Sequence, residues 1–124
     1  MQKDKQLGEF SFKAISNRVR DDDKLEINWE GTAIGFGVVV STMIVTVGDG
    51  KSGRYDQNGV SYRDDGTITT SKNQTGEYKS IGKHKWATTG ALKIKADGRE
   101  LLVIEEGEMD RATKTWNGKI YEAS

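Results

Sequence analysis

His84 is the one histidine of this chain, and Glu105, Glu106 and Glu108 are the carboxylates that could partner it. An imidazole beside a carboxylate can serve as a general base, or as a hydrogen-bond donor, near neutral pH. A strand sends alternate side chains to opposite faces, so only one parity of these glutamates can turn inward. Glu106 and Glu108 follow Leu102 and Ile104, whereas Glu105 follows Leu101 and Val103. Both parities carry apolar residues, and the sequence leaves the inward face of residues 99–110 open. The catalytic role is therefore unassigned, with His84 and Glu106 as its candidates. An inward glutamate would lose hydration, which raises its pKa and makes it a candidate acid. The plainer alternative places His84 at a solvated rim and the glutamates outward in water.

Trp29, Trp86 and Trp116 are the second group that could carry function. They either fill a core or line a pocket for a flat, apolar ligand. With Phe12 and His84 they form the candidate ligand-binding set. Gly31, Gly90 and Gly118 share parity with the three indoles and stand two or four residues away. A glycine beside a large ring either makes room for that ring or leaves a cavity.

Several other chemistries are poorly served. One histidine and no cysteine cannot build a multi-histidine or thiolate zinc site. Asp21-Asp22-Asp23 reads as a solvated turn, because no calcium-loop series of oxygen ligands follows it. In the run Gly48 to Gly53 the GK[ST] ending of a phosphate loop is not at the required spacing and no helix follows, so it reads as a hairpin loop. Asn73-Gln74-Thr75 matches a glycosylation acceptor but reads as a polar strand or turn without export. No cofactor and no metal is expected. Lysine plus arginine and aspartate plus glutamate each number 19, and no basic stripe stands out, which argues against a nucleic-acid partner. No apolar run is long enough for a membrane helix, and the start has no signal-peptide core. Together with the missing cysteines, this makes a cytoplasmic protein the expectation.

The elements that must position these residues are strands. The densest apolar stretch, residues 29–47, is WEGTAIGFGVVVSTMIVTV. Before its glycines, Leu25, Ile27 and Trp29 share one face of a half-buried strand. After them, both parities are apolar: Val38, Val40 and Ile44 on one, Val39, Met43, Val45 and Val47 on the other. The 124 residues form one domain, with 1–6 frayed and disordered and 7–124 a barrel. Phe10, Phe12 and Ala14 share a face of strand one, and a bulge resets the phase before Ile15 and Val19. Asn58-Gly59 marks a tight turn or bulge, Gly76 a bulge, and Ile81-Gly82 and Asp97-Gly98 hairpin turns. Strand six carries His84, Trp86, Thr88, Gly90, Leu92 and Ile94 on one face. In the last strand, Trp116, Gly118 and Ile120 agree. No amphipathic helix is present. About eight strands joined by short turns close most simply into an all-β, antiparallel, up-and-down eight-stranded barrel. A β-sandwich is the alternative, but it usually needs a crossover that no long loop supplies.

The segments GEFSFKA (8–14), WEGTAIGFG (29–37), GEYKSIGKHKWATTG (76–90) and GKIYEA (118–123), taken in this order, resemble the allene oxide cyclase-like, calycin-type small barrels, including uncharacterised bacterial proteins. The resemblance covers nearly the whole chain and consists of spacing and glycine placement. It implies a small barrel with an apolar interior, often oligomeric, and transfers no functional residue. The expected function is binding of a small, largely apolar molecule inside the barrel. The alternatives are a cofactor-independent isomerase or cyclase, and a structural or assembly protein whose barrel is filled. Strand three leaves an apolar row outside whichever way it turns. A homodimer or homotrimer through Val39, Met43 and Val45 is therefore expected.

Overall fold

The computed structural model describes the chain except Asp97 and the side chain of Ala96. The turn expected at Asp97-Gly98 thus lies partly outside the described residues. Eight strands follow one another: β1 (Lys3–Val19), β2 (Lys24–Ala33), β3 (Gly37–Thr46), β4 (Ser52–Tyr62), β5 (Ile68–Gly82), β6 (Lys85–Ala96), β7 (Arg99–Asp110) and β8 (Thr115–Ala123). Each pairs antiparallel with its neighbour, and β1 pairs with β8, closing the barrel in simple sequence order. The chain therefore forms the antiparallel barrel that its hairpin spacing implies, and the sandwich is excluded. Closure leaves no unpaired strand edge.

Alternation decides which residues go inside. Leu25, Ile27 and Trp29 of β2, Trp86, Leu92 and Ile94 of β6, and Trp116 and Ile120 of β8 are all buried, as are Phe10 and Phe12 of β1. Burial of each such side chain contributes about 1.5–3 kcal/mol. The aromatic rings pack directly on one another. Trp116 lies 5.0 Å from Phe10, 5.6 Å from Phe12 and 5.6 Å from Trp29, centroid to centroid.

Four expectations change. Residues 3–6 are not frayed: β1 begins at Lys3, pairs Gln6 with Tyr121, and Gln2 exchanges backbone hydrogen bonds with Ser124. Backbone pairing with β8 does not depend on apolar side chains, so a polar composition did not prevent it. Met43 and Val45 of β3 are buried and the partly buried Val39 packs against the core, so the row expected at an interface between molecules faces the interior. The apolar residues that β3 turns outward are Val38, 47% exposed, Val40, 36% exposed, and the half-buried Ile44. In β5 the register shifts between Ser71 and Thr75, where Asn73 has φ of 57°, and Gly76 stays in register. Finally, β5 runs through Gly82, so the turn falls on Lys83 and His84. The bulges expected in β1 and at Asn58-Gly59 are present, between Ala14 and Ser16 and between Gln57 and Gly59. Ile15 and Val19 nevertheless remain exposed.

Candidate functional site

The interior is divided. Near the end bearing the turns at residues 20–23, 47–51, 83–84 and 111–114, it is solid. Tyr78 and Trp86 stack at 4.0 Å, and the Arg111 guanidinium lies 4.5 Å from the Trp86 ring. Trp86 Nε1 donates to the Gly50 carbonyl, and the Tyr78 hydroxyl donates to the backbone at Thr46 and Val47. These bonds tie the rings to the loop between β3 and β4 and plug that end. Toward the other end, which carries the 34–36 and 63–67 turns, a cavity of about 60 Å³ remains. Its apolar wall includes Phe12, Phe36, Leu92, Ile94 and Ile120, and its polar wall includes Ser41, Gln57, Gln74, Ser61, Thr69 and Glu105.

The polar wall is itself buried. Gln57 and Gln74 are each 4% exposed, and Glu105 is 6% exposed. Gln57 Nε2 donates to Ser41 Oγ at 3.0 Å. The Ser61 and Thr69 hydroxyls share a hydrogen bond. The carbonyl oxygens of Gln57 and Gln74 have no partner among the described residues. Trp29 Nε1 and Arg63 Nε are the other buried polar atoms without a partner among the described residues.

A row of paired residues explains how a carboxylate comes to stand there. Tyr55 of β4 pairs with Gly76 of β5, Gly76 with Gly90 of β6, Gly90 with Glu105 of β7, and Glu105 with Ile120 of β8. The two glycines leave the inner wall bare, and the Tyr55 ring lies across both strands. A Cβ at Gly76 would collide with the ring carbons, and one at Gly90 would come within 2.5 Å of the hydroxyl. The hydroxyl reaches the far side and donates to Glu105 Oε1 at 2.9 Å. The ring also packs edge-on against Trp116 at 6.1 Å, so Tyr55 marks the boundary between solid core and cavity.

Burial pushes the Glu105 carboxyl up from 4.5 to about 7, because the charged form loses its hydration; the bond from Tyr55 pulls the other way. Burial likewise drives the Tyr55 phenol well above its ordinary value, with the carboxylate beside it adding to the effect. The pair therefore holds one proton on the phenol and one that comes and goes near neutrality on the carboxyl. The dyad can donate or accept a proton at the cavity wall.

The residues singled out in the sequence divide accordingly. Phe12 lines the cavity. Trp29 and Trp116 are buried in the solid half, and Trp86 belongs to the plug, so no tryptophan faces the cavity. His84 is exposed in the β5–β6 turn with φ of 63°, at the end opposite the cavity, so it cannot meet an inward glutamate. Strand parity suggested an inward face for it, but the turn comes two residues later than Ile81-Gly82 and takes it off the strand. Glu106 points outward, where its carboxylate accepts from Lys3 Nζ at 2.7 Å. Its side chain is 39% exposed. The inward glutamate is its neighbour, Glu105. Tyr55, Gln57, Gln74, Ser41, Ser61 and Thr69 escaped notice because inward positions were sought among apolar residues. Their one signal was shared parity with a buried ring: Gln57 and Ser61 lie two and six residues from Tyr55, and Gln74 four from Tyr78. Of the three glycines near indoles, Gly90 makes room for a tyrosine, and Gly31 and Gly118 sit against neighbouring backbone. Among the described residues no cluster of three His, Cys, Asp or Glu could hold a metal ion. No family model, curated protein or solved structure matches this chain.

Proposed function

We propose that the barrel binds a small molecule in the unfilled part of its interior. The apolar part of the molecule lies against Phe12, Phe36, Leu92 and Ile94, and its polar end meets Glu105, Gln57 and Gln74. The observation that carries this reading is a buried carboxyl set, with two buried glutamine side chains and several hydroxyls, in the wall of one unfilled cavity. A filled structural barrel gains nothing from that arrangement, since burying polar groups costs stability. Size limits the ligand. A cavity of about 150 Å³ admits a benzene ring, so about 60 Å³ suits a group of roughly two to four heavy atoms. A larger ligand would seat only its polar end there.

Ligand-observed NMR with a library of small fragments tests the reading. Fragments should bind the native barrel and lose binding when Ser41→Leu and Gln57→Leu together fill the polar wall, with the circular dichroism of the barrel kept. If no fragment binds, or the filled variant binds equally well, the barrel is structural.

A second reading, proton-transfer catalysis of the isomerase or cyclase type, is favoured by Glu105. A carboxyl with a pKa of about 7 is suited to act as an acid or base at neutral pH. Solvent deuterium exchange into a bound fragment, abolished by Glu105→Gln, would support it. Binding without exchange would leave the barrel a binding protein.

A further inference from the structure

The charged chemistry of the cavity wall is one-sided. Among its lining residues there is a carboxyl and no lysine, arginine or histidine. The carboxamides of Gln57 and Gln74 and the hydroxyls of Ser41, Ser61 and Thr69 supply neutral polar groups beside it. Glu105 already accepts the Tyr55 hydroxyl on Oε1, and a carboxylate has further lone pairs to give. Phe12 and Phe36 add ring faces to the same wall, and such faces attract cations. No positive charge of the wall therefore balances an ionised Glu105. Arg63 lies over the Phe36 ring at 5.6 Å but is not among the lining residues.

We infer that the cavity receives a small organic cation of the guanidinium or alkylammonium class, held by Glu105 beside Gln57 and Gln74 and against the rings of Phe12 and Phe36. The inference rests on the reading of the cavity as a binding site and names its ligand chemistry. Guanidinium has four heavy atoms, which agrees with the room available. It presents paired N–H donors in one plane, the geometry that suits a carboxylate.

The proposal carries a pH dependence. Tyr55 from β4 touches Glu105, Gly90 from β6 and Ile120 from β8 flank it in register, and Gln74 from β5, Leu92 from β6, Ser41 from β3 and Phe12 from β1 line the same cavity. Tyr55 alone among them titrates, and burial keeps its proton on throughout the neutral range. Affinity for a cation should then follow the ionisation of Glu105 alone. It should fall by about tenfold for each pH unit below the carboxyl's pKa and level off above it.

Guanidinium and urea make the decisive pair, since they share a planar shape and differ in charge. Both are titrated at millimolar concentration while the side-chain amide signals of Gln57 and Gln74 are followed by NMR. Guanidinium should shift both amides and bind roughly tenfold or more tighter than urea at pH 8.5, with the advantage shrinking toward pH 5.5. Glu105→Gln keeps an acceptor for Tyr55 and much the same shape, so the barrel should fold. In that variant the preference for guanidinium should vanish at every pH. Equal binding of urea and guanidinium, or a preference that survives Glu105→Gln, overturns the cation assignment and leaves the binding reading standing. Signals of Gln57 and Gln74 that move with neither probe overturn the assignment as well, and the fragment library then decides the binding reading separately.

Discussion

The two halves of the barrel interior are built on opposite principles. Around Trp116 stand the rings of Phe10, Phe12, Trp29 and Tyr55, and the indole N–H donates to Thr88 Oγ1 at 2.9 Å. Around Glu105 the wall includes amides, hydroxyls and a cavity, and two acceptors lack partners among the described residues. The first half contributes stability through close packing. The second gives some of it up, because buried polar atoms without partners cost about 1–3 kcal/mol each. Trp29 Nε1 in the first half lacks a partner as well, but the unfilled volume and the buried carboxyl belong to the second alone.

The sharpest way to break the comparison is Trp116→Ala. The side chain is fully buried and packs on four rings, so removal should cost about 3–5 kcal/mol, read by urea unfolding. A loss under about 1 kcal/mol would mean that the solid half is not the source of stability.

Next in size is the pH response of the polar half. The folded Glu105 carboxyl titrates at about 7 rather than 4.5. Between those values the folded chain holds a proton that the unfolded chain has released, so stability falls as pH rises, and it levels off above 7. The loss is roughly 3 kcal/mol, at about 1.4 kcal/mol per pH unit. Glu105→Gln should be as stable as the parent near pH 4.5 and more stable by about that amount at pH 8. Identical pH profiles in the two proteins would contradict the burial of an ionisable carboxyl. Tyr55→Phe should move the midpoint of the response upward, because the phenol's hydrogen bond is what restrains the carboxyl's rise.

A smaller effect is expected from Gln74→Leu. The same kind of truncation of polarity that would be meaningless among the rings should here be neutral or stabilising by up to about 1 kcal/mol, since an unpartnered acceptor is removed. Clear destabilisation would show that Gln74 is satisfied in solution. The smallest effect belongs to Glu106→Gln. Its partner, Lys3, is exposed, and exposed ion pairs contribute little, so the melting temperature should stay within about 1 °C of the parent's. Set beside Glu105→Gln, this measures what one step along a strand does to a carboxylate.

The barrel was legible in the chain because its signals are local. Alternation in β2, β6 and β8 set Ile27, Trp86 and Trp116 inward, and short turn-rich gaps left room for hairpins and nothing else. The phase of β7 was not legible. Leu101, Val103, Leu102 and Ile104 make both of its faces apolar, and pairing with Gly90 and Ile120 alone turned Glu105 inside. The same holds for β3, where the core claimed Met43 and Val45 and left Val38 and Val40 outside.

Sequence by itself thus determined the number and order of strands, the closed topology and the aromatic core. Those follow from periodicity and turn chemistry within a few residues. Tertiary structure decided the site. Gly76 and Gly90 are unremarkable until they stand side by side between Tyr55 and Glu105, and the tyrosine and the glutamate are fifty residues apart. Which polar residues face a cavity depends on the registers of several strand pairs at once, and no local pattern in the chain records that sum.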